Sequence, residues 1–282
     1  MENLKWREPL SHSLRRGAGR AMGEFSMIAE GDRVLVGLSG GKDSLVLLHT
    51  LSEFRRRSPA RFDLAACTVA LRGMDVSDLR AYCAAREVPY IVLQHPILEI
   101  IESRKERSPC SFCANMRRGI LNSRAREDGY NRLALGHNLD DAVETFFMNL
   151  FRAGRARSFQ PKLYQTRTGV TVIRPLIYVR ETVVVAEAHR LNLPILSTTC
   201  PWAGRTERQR TKNMLDTLSG ELPNLFGNVV NALRSLDTAD RWEAHEGEDQ
   251  TGFQRVGDPL AESEAEPRPQ VFDNRPNEEG EK

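Results

Sequence analysis

The chain has 282 residues, 40% of them apolar, with 40 basic and 38 acidic side chains and a net charge of +2. That length fits one large domain or two small ones with a sizeable core. No uninterrupted apolar run approaches the ~20 residues of a membrane helix, and the first residues lack the apolar centre of a secretory signal. A soluble, intracellular, cytoplasmic protein without a membrane partner is predicted.

The small net charge hides a split. Residues 237–282 carry 14 acidic and 5 basic side chains, a net of −9, whereas the rest carries 35 basic and 24 acidic, a net of +11. A basic body suits a polyanionic partner. Five cysteines (Cys67, Cys83, Cys110, Cys113 and Cys200) are an odd number in a chain without an export signal. That argues against a disulfide framework and for reduced thiols available as ligands.

In chain order, residues 1–30 form a basic N-terminal helical segment, with Leu4, Trp6, Leu10 and Leu14 at helical spacing. Residues 33–38 are an apolar strand, followed by a glycine turn and a helix over 43–54. Strands are predicted at 64–70, 90–94, 132–136, 171–173 and 194–197. Helices are predicted at 76–87, 116–127, 140–151 and 181–190. Alternation of this kind implies a parallel sheet covered on both faces, whose ligands bind beyond the carboxyl ends of the strands. Two closing helices follow at 206–218 and 222–236. The second carries Leu222, Phe226, Val229, Val230, Leu233 and Leu236 on one face. The predicted organisation is therefore a helical segment at 1–30, an α/β domain at 31–200, closing helices at 201–236 and an acidic disordered tail at 237–282.

The first strand leads into Ser39-Gly40-Gly41-Lys42-Asp43-Ser44. Glycines let backbone N–H groups approach phosphate oxygens without a Cβ in the way. The following helix adds partial positive charge at its N-terminus. Lys42 can neutralise phosphate and Asp43 can help to hold Mg²⁺. The spacing matches neither the Walker loop nor the dinucleotide fingerprint. The six residues match the S-G-G-K-D-S signature, and the chain here resembles the PP-loop family. That resemblance implies an adenine nucleotide alpha hydrolase-like α/β domain with flanking N- and C-terminal helices. It also implies ATP cleavage between the α and β phosphates and adenylation of a substrate oxygen.

A second segment, Gly136-His137-Asn138-Leu139-Asp140-Asp141, resembles the family's G-H-x-x-D-D stretch. Gly136 would admit the nucleotide closely. Asp141, with Asp140 as the weaker choice, would ligate Mg²⁺ or assist the reacting base, and His137 is a further candidate. Asp140 also suits a plain helix N-cap.

Cys110-Ser111-Phe112-Cys113 sets two thiols one short turn apart, and Pro109 before them predicts a non-helical approach. Cys200 ends the last predicted strand, so three thiols can converge near the phosphates. Such a trio suits zinc with a fourth ligand, an iron–sulfur cluster, or a redox pair with a spare thiol. Cys67 and Cys83 read as core residues.

Residues 110–121 resemble the C-x-x-C-x-x-x-R-R-G-I-L segment of the tRNA 2-thiocytidine synthetase family, and residues 152–163 and 172–176 resemble its internal segments. This resemblance implies a 4Fe-4S cluster on Cys110, Cys113 and Cys200, with one iron open to a substrate sulfur. It further implies ATP and Mg²⁺, a tRNA anticodon loop as substrate with cytidine 32 as target, and a sulfur donor such as a cysteine desulfurase. A homodimer is one option for the assembly. The related thiouridine synthetases carry extra zinc-finger cysteines, which this chain lacks.

Three basic groups suit RNA phosphates: Arg117 and Arg118; Arg152, Arg155, Arg157, Lys162 and Arg167; and Arg205, Arg208, Arg210 and Lys212. Arg117 is the expected catalytic contact of the first group, beside Asp43 and Asp141. The alternatives are a thiouridine-forming relative, a PP-loop enzyme adenylating a small molecule, and a non-catalytic nucleotide or cluster sensor.

Overall fold

The computed structural model describes residues 8–197 and 207–235. The expectations for Leu4, Trp6, Cys200, Arg205, Leu236 and the acidic tail lie outside the described residues.

The elements run α1 (His12–Glu24), β1 (Arg33–Gly37), α2 (Lys42–Arg57), β2 (Asp63–Ala70), α3 (Ser77–Ala84), β3 (Tyr90–Gln94), α4 (Ile97–Arg104), α5 (Pro109–Glu127), β4 (Arg132–Ala134), α6 (Leu139–Ala153), β5 (Lys162–Gln165), β6 (Val170–Ile173), α7 (Glu181–Arg190), α8 (Glu207–Glu221) and α9 (Leu225–Arg234). The strands form one sheet in the order β3-β2-β1-β4-β6-β5. Every neighbouring pair is parallel except the β5–β6 hairpin. The expected parallel α/β sheet is therefore present, with one antiparallel edge strand added.

Burial on both faces explains why the central strands are almost unbroken apolar runs. Val34 and Val36 pack into one layer with α1, α2 and α7, and Leu35 packs into the other with α5. α2 is enclosed by the first layer, and Leu45, Val46, Leu47, Leu48 and Leu51 are completely buried. Cys67 and Cys83 lie in these layers. Burial pushes their thiols up to about 12 and about 11, so both stay protonated core groups.

The chain winds outward from β1 to β2 and β3, then crosses back to β4 on the other side of β1. The strand order thus reverses at β1 and β4, and the crevice beyond their carboxyl ends is where such folds bind ligands.

Three readings of the sequence are corrected. Residues 194–197 form no strand; instead Leu196 N–H donates to Gly40 C=O at 3.0 Å, so the segment lies along the phosphate loop. Pro109 does not hold the C-x-x-C away from helical structure. It occupies the first turn of α5, where its missing N–H is no loss, and both cysteines belong to the helix. The second closing helix begins at Leu225, and Leu222 before it is 51% exposed. The structure also adds α4 and β5.

Candidate nucleotide and thiol site

The phosphate loop leaves β1 and turns at Gly40, whose φ of +84° is open to glycine at little cost. Ser44 Oγ organises the turn: it accepts from Ser39 N–H at 3.1 Å and donates to Gly41 C=O at 2.9 Å. No side chain caps the first turn of α2. Its N–H groups and dipole face the crevice, which is the arrangement an anion requires.

The second loop closes on the first. A Cβ on Gly136 would lie 3.0 Å from Asp43 C and Ser44 N and 3.1 Å from Asp43 O. Only a glycine lets the two backbones meet there. Asn138 Nδ2 then donates to Asp43 Oδ1 at 2.9 Å. Asn138 is also the N-cap of α6, in a reciprocal capping box with Asp141. The structure therefore brings Ser39, Gly40, Gly41, Lys42, Asp43, Ser44, Gly136 and Asp141 together at the β1/β4 edge.

Asp140 plays a different part. It accepts from Glu181 N–H at 2.6 Å and from Arg180 Nε at 3.2 Å, fixing the start of α7. Glu181 is thereby delivered to Lys42, at 2.8 Å from its Nζ. Burial opposes the Lys42 charge, but Glu181 and Asp43 outweigh it and hold the ammonium above its ordinary range.

α8 closes the crevice from above. Leu215 anchors it in a cluster with Leu139 and Val143 of α6 and Phe226 of α9. Arg208 and Lys212 stand on the same stripe of α8, seven and three residues before Leu215. Arg208 donates to Asp141 Oδ1 and Glu144 Oε2, both at 3.1 Å, and Lys212 pairs with Glu181. Asn138, Asp141, Glu144, Glu181, Arg208 and Lys212 line a cavity of about 160 Å³. Burial raises the Asp141 carboxyl against Arg208, and pushes Glu144, 5% exposed, up to about 7.

His137 is half-buried beside Arg174. Its Nδ1 accepts from Arg174 Nε at 3.2 Å, and burial pushes its pKa down to about 3, so the ring stays neutral. Asn138, Glu144, Arg174 and Glu181 were missed in the sequence. Asn138 and Asp141 carried a readable N-x-x-D capping pattern, but nothing local signals that Glu181 meets a lysine 139 positions away.

Cys110 and Cys113 sit in the first turn of α5, with Cys110 exposed and Cys113 half-buried. Spacing of three puts both sulfurs on one face. Helix N-termini favour the thiolate form, which is the form that binds metal. Where α5 lies against the sheet, Leu121 meets the carboxyl end of β1 at Gly37, and Asp128 C=O meets Arg33 at its start. The thiols therefore project from the same edge as the phosphate loop, about 12–16 Å beyond Leu121 along the helix axis. Arg117 lies one turn after Cys113, with its Nε buried and unpartnered. Two soft thiolates on one face fit an iron–sulfur cluster or another soft metal. Among the described residues no third ligand joins them, and Cys200 lies outside that set.

A doubly wound sheet whose switch point carries an uncapped, glycine-lined anion loop defines an α/β nucleotide-binding protein. Residues 13–196 match the PP-loop domain family. A tRNA-cytidine(32) 2-sulfurtransferase of Syntrophotalea carbinolica is 40% identical over 235 residues, covering 80% of this chain and 90% of that protein. A tRNA-cytidine(32) 2-sulfurtransferase of Geobacter metallireducens is 36% identical over 229 residues, covering 79% and 89%. The chain belongs to this family of PP-loop proteins. The solved structure of the U34-tRNA thiolase NcsA from Methanococcus maripaludis, with its [4Fe-4S] cluster, is 25% identical, covers 86% of this chain and 84% of that one, and superposes with a TM-score of 0.67.

Proposed function

We propose that this protein is an ATP-dependent tRNA sulfurtransferase that replaces the C2 oxygen of cytidine 32 with sulfur. The observation that carries the reading is the shared edge: the phosphate loop and the Cys110–Cys113 pair leave the sheet on the same side. The relatives' activity supplies the substrate class.

A pyrimidine C2 oxygen is a poor leaving group, and adenylation by ATP makes it a good one. Gly40, Gly41 and Ser44 would hold the pyrophosphate through backbone N–H groups, and Lys42 would neutralise it. Asp43 and Asp141 would hold Mg²⁺. Asn138 fixes Asp43, and Arg208 restrains Asp141. A 4Fe-4S cluster on Cys110, Cys113 and Cys200 would supply the sulfur-carrying iron. The target base must leave its stack to enter, which suits a loop nucleotide. Among the described residues no helix is long and apolar enough to cross a membrane, in keeping with a cytoplasmic enzyme fed by a donor such as a cysteine desulfurase.

The test is nucleotide analysis of the purified protein with Mg²⁺-ATP, sulfide and tRNA transcript. AMP and pyrophosphate released only when tRNA is present support the reading. ADP and phosphate, or AMP formed equally well without RNA, refute it.

A further inference from the structure

Arg174 follows β6 at the carboxyl edge and is only 3% exposed. A buried guanidinium ordinarily has a carboxylate to offset its lost hydration. Arg174 makes no ion pair with the described residues. Its Nε donates to neutral His137 and its Nη1 to the Gln160 carbonyl at 2.5 Å, and its plane lies 4.8 Å from the Phe159 ring centroid. The charged neighbour acting on it is another cation, Arg118 of α5. Arg174 and Arg118 thus bring two guanidinium groups together between α5 and the ends of β4 and β6, with positive charge in excess.

Their position gives this excess a use. On α5, Arg118 stands about one and a half turns after Cys113. On the other side, His137 leads directly through Asn138 to Asp43 of the phosphate loop. The cluster lies between the thiols and the nucleotide loop, where a base must enter to meet both.

We infer that Arg174 and Arg118 form a phosphate clamp that holds the reacting nucleotide by the phosphodiester beside its base. The inference rests on the tRNA reading for the source of that phosphate. The shared chemistry is a singly bonded phosphate oxygen on a guanidinium, and the α-phosphate of ATP is the second source the test must separate. His137 and Phe159 act as positioning residues that fix the guanidinium plane.

The experiment compares the full chain with Arg174→Gln and, because Arg174 is buried, with the more exposed Arg118→Gln. Circular dichroism checks folding. Each protein is titrated with tRNA transcript over a range of salt, and separately with a non-hydrolysable ATP analogue. The expected result is about tenfold weaker tRNA binding, a salt slope reduced by about one, and analogue affinity within about twofold of wild type. A transcript with one neutral methylphosphonate linkage at cytidine 32 should erase the difference between wild type and variant. Loss of analogue affinity instead, with tRNA binding kept, assigns the clamp to the nucleotide phosphate. Folded variants with unchanged affinity for both ligands overturn it. A wild-type protein that does not bind tRNA defeats the functional reading alone, and the analogue titration then decides the clamp.

Discussion

Gly136→Ala is the substitution whose consequence follows most directly from the structure. The new Cβ would sit 3.0–3.1 Å from three backbone atoms of Asp43 and Ser44, about half an ångström inside ordinary carbon contact. No flexible side chain can yield, so the β4–α6 loop and the phosphate loop must separate. Overpacking of this size costs about 1–3 kcal/mol, which lowers the melting temperature by about 2–12 °C. Separation also stretches the Asn138–Asp43 hydrogen bond, so affinity for an ATP analogue should fall at least about tenfold. Gly119→Ala is the control: nothing lies within 4 Å of its Cβ position on α5, and alanine there should stabilise by about 0.5–1 kcal/mol. Thermal melts and calorimetric titration measure both variants. Wild-type melting and analogue affinity in Gly136→Ala would refute the claim that the two loops are held in mutual contact.

Three further outcomes are expected. Cys113→Ala should abolish the brown cluster absorbance after anaerobic reconstitution while ATP-analogue affinity stays unchanged; a full cluster in this variant would remove Cys113 from the ligands. Glu181→Gln keeps the shape but removes the charge that anchors Lys42, so KM for ATP in the AMP-release assay should rise severalfold, and unchanged kinetics would deny Glu181 that part. Glu144 has a carboxyl that holds its proton to about pH 7 when folded but loses it near pH 4.5 when unfolded, so wild-type stability relative to Glu144→Gln should fall as pH rises from 5 to 8, by about 2 kcal/mol. Parallel pH–stability curves from urea melts would contradict this.

What was legible in the sequence was what short-range pattern encodes. The apolar run before Ser39 and the glycines after it specified a strand, turn and helix, and the structure has them. Unbroken apolar runs located the central strands, because a parallel sheet buries both faces, and period-3.6 patterns located most of the helices between them. The short β5 strand was missed because its four residues, Lys162 to Gln165, offer one adjacent Leu-Tyr pair between polar neighbours, neither an apolar run nor an alternation. The run at 194–197 read as a strand because Pro194, Ile195 and Leu196 are bounded and apolar, but its hydrogen bonding goes to Gly40 instead of a neighbouring strand. Pro109 was misread because proline opposes helix only after the first turn, and there it starts one. The long-range pairs carry the least local signal. Lys42 with Glu181 and His137 with Arg174 are joined by the order of the strands, and Asp141 with Arg208 by the packing of α8 on α6.

Whether one protein both activates a cytidine with ATP and delivers sulfur to it is read by mass spectrometry of nucleosides digested from a transcript incubated anaerobically with cluster-loaded protein, Mg²⁺-ATP and sulfide. The expected product is 2-thiocytidine at position 32, formed only with ATP and in step with AMP. Unmodified cytidine, or sulfur found on a uridine instead, would contradict it.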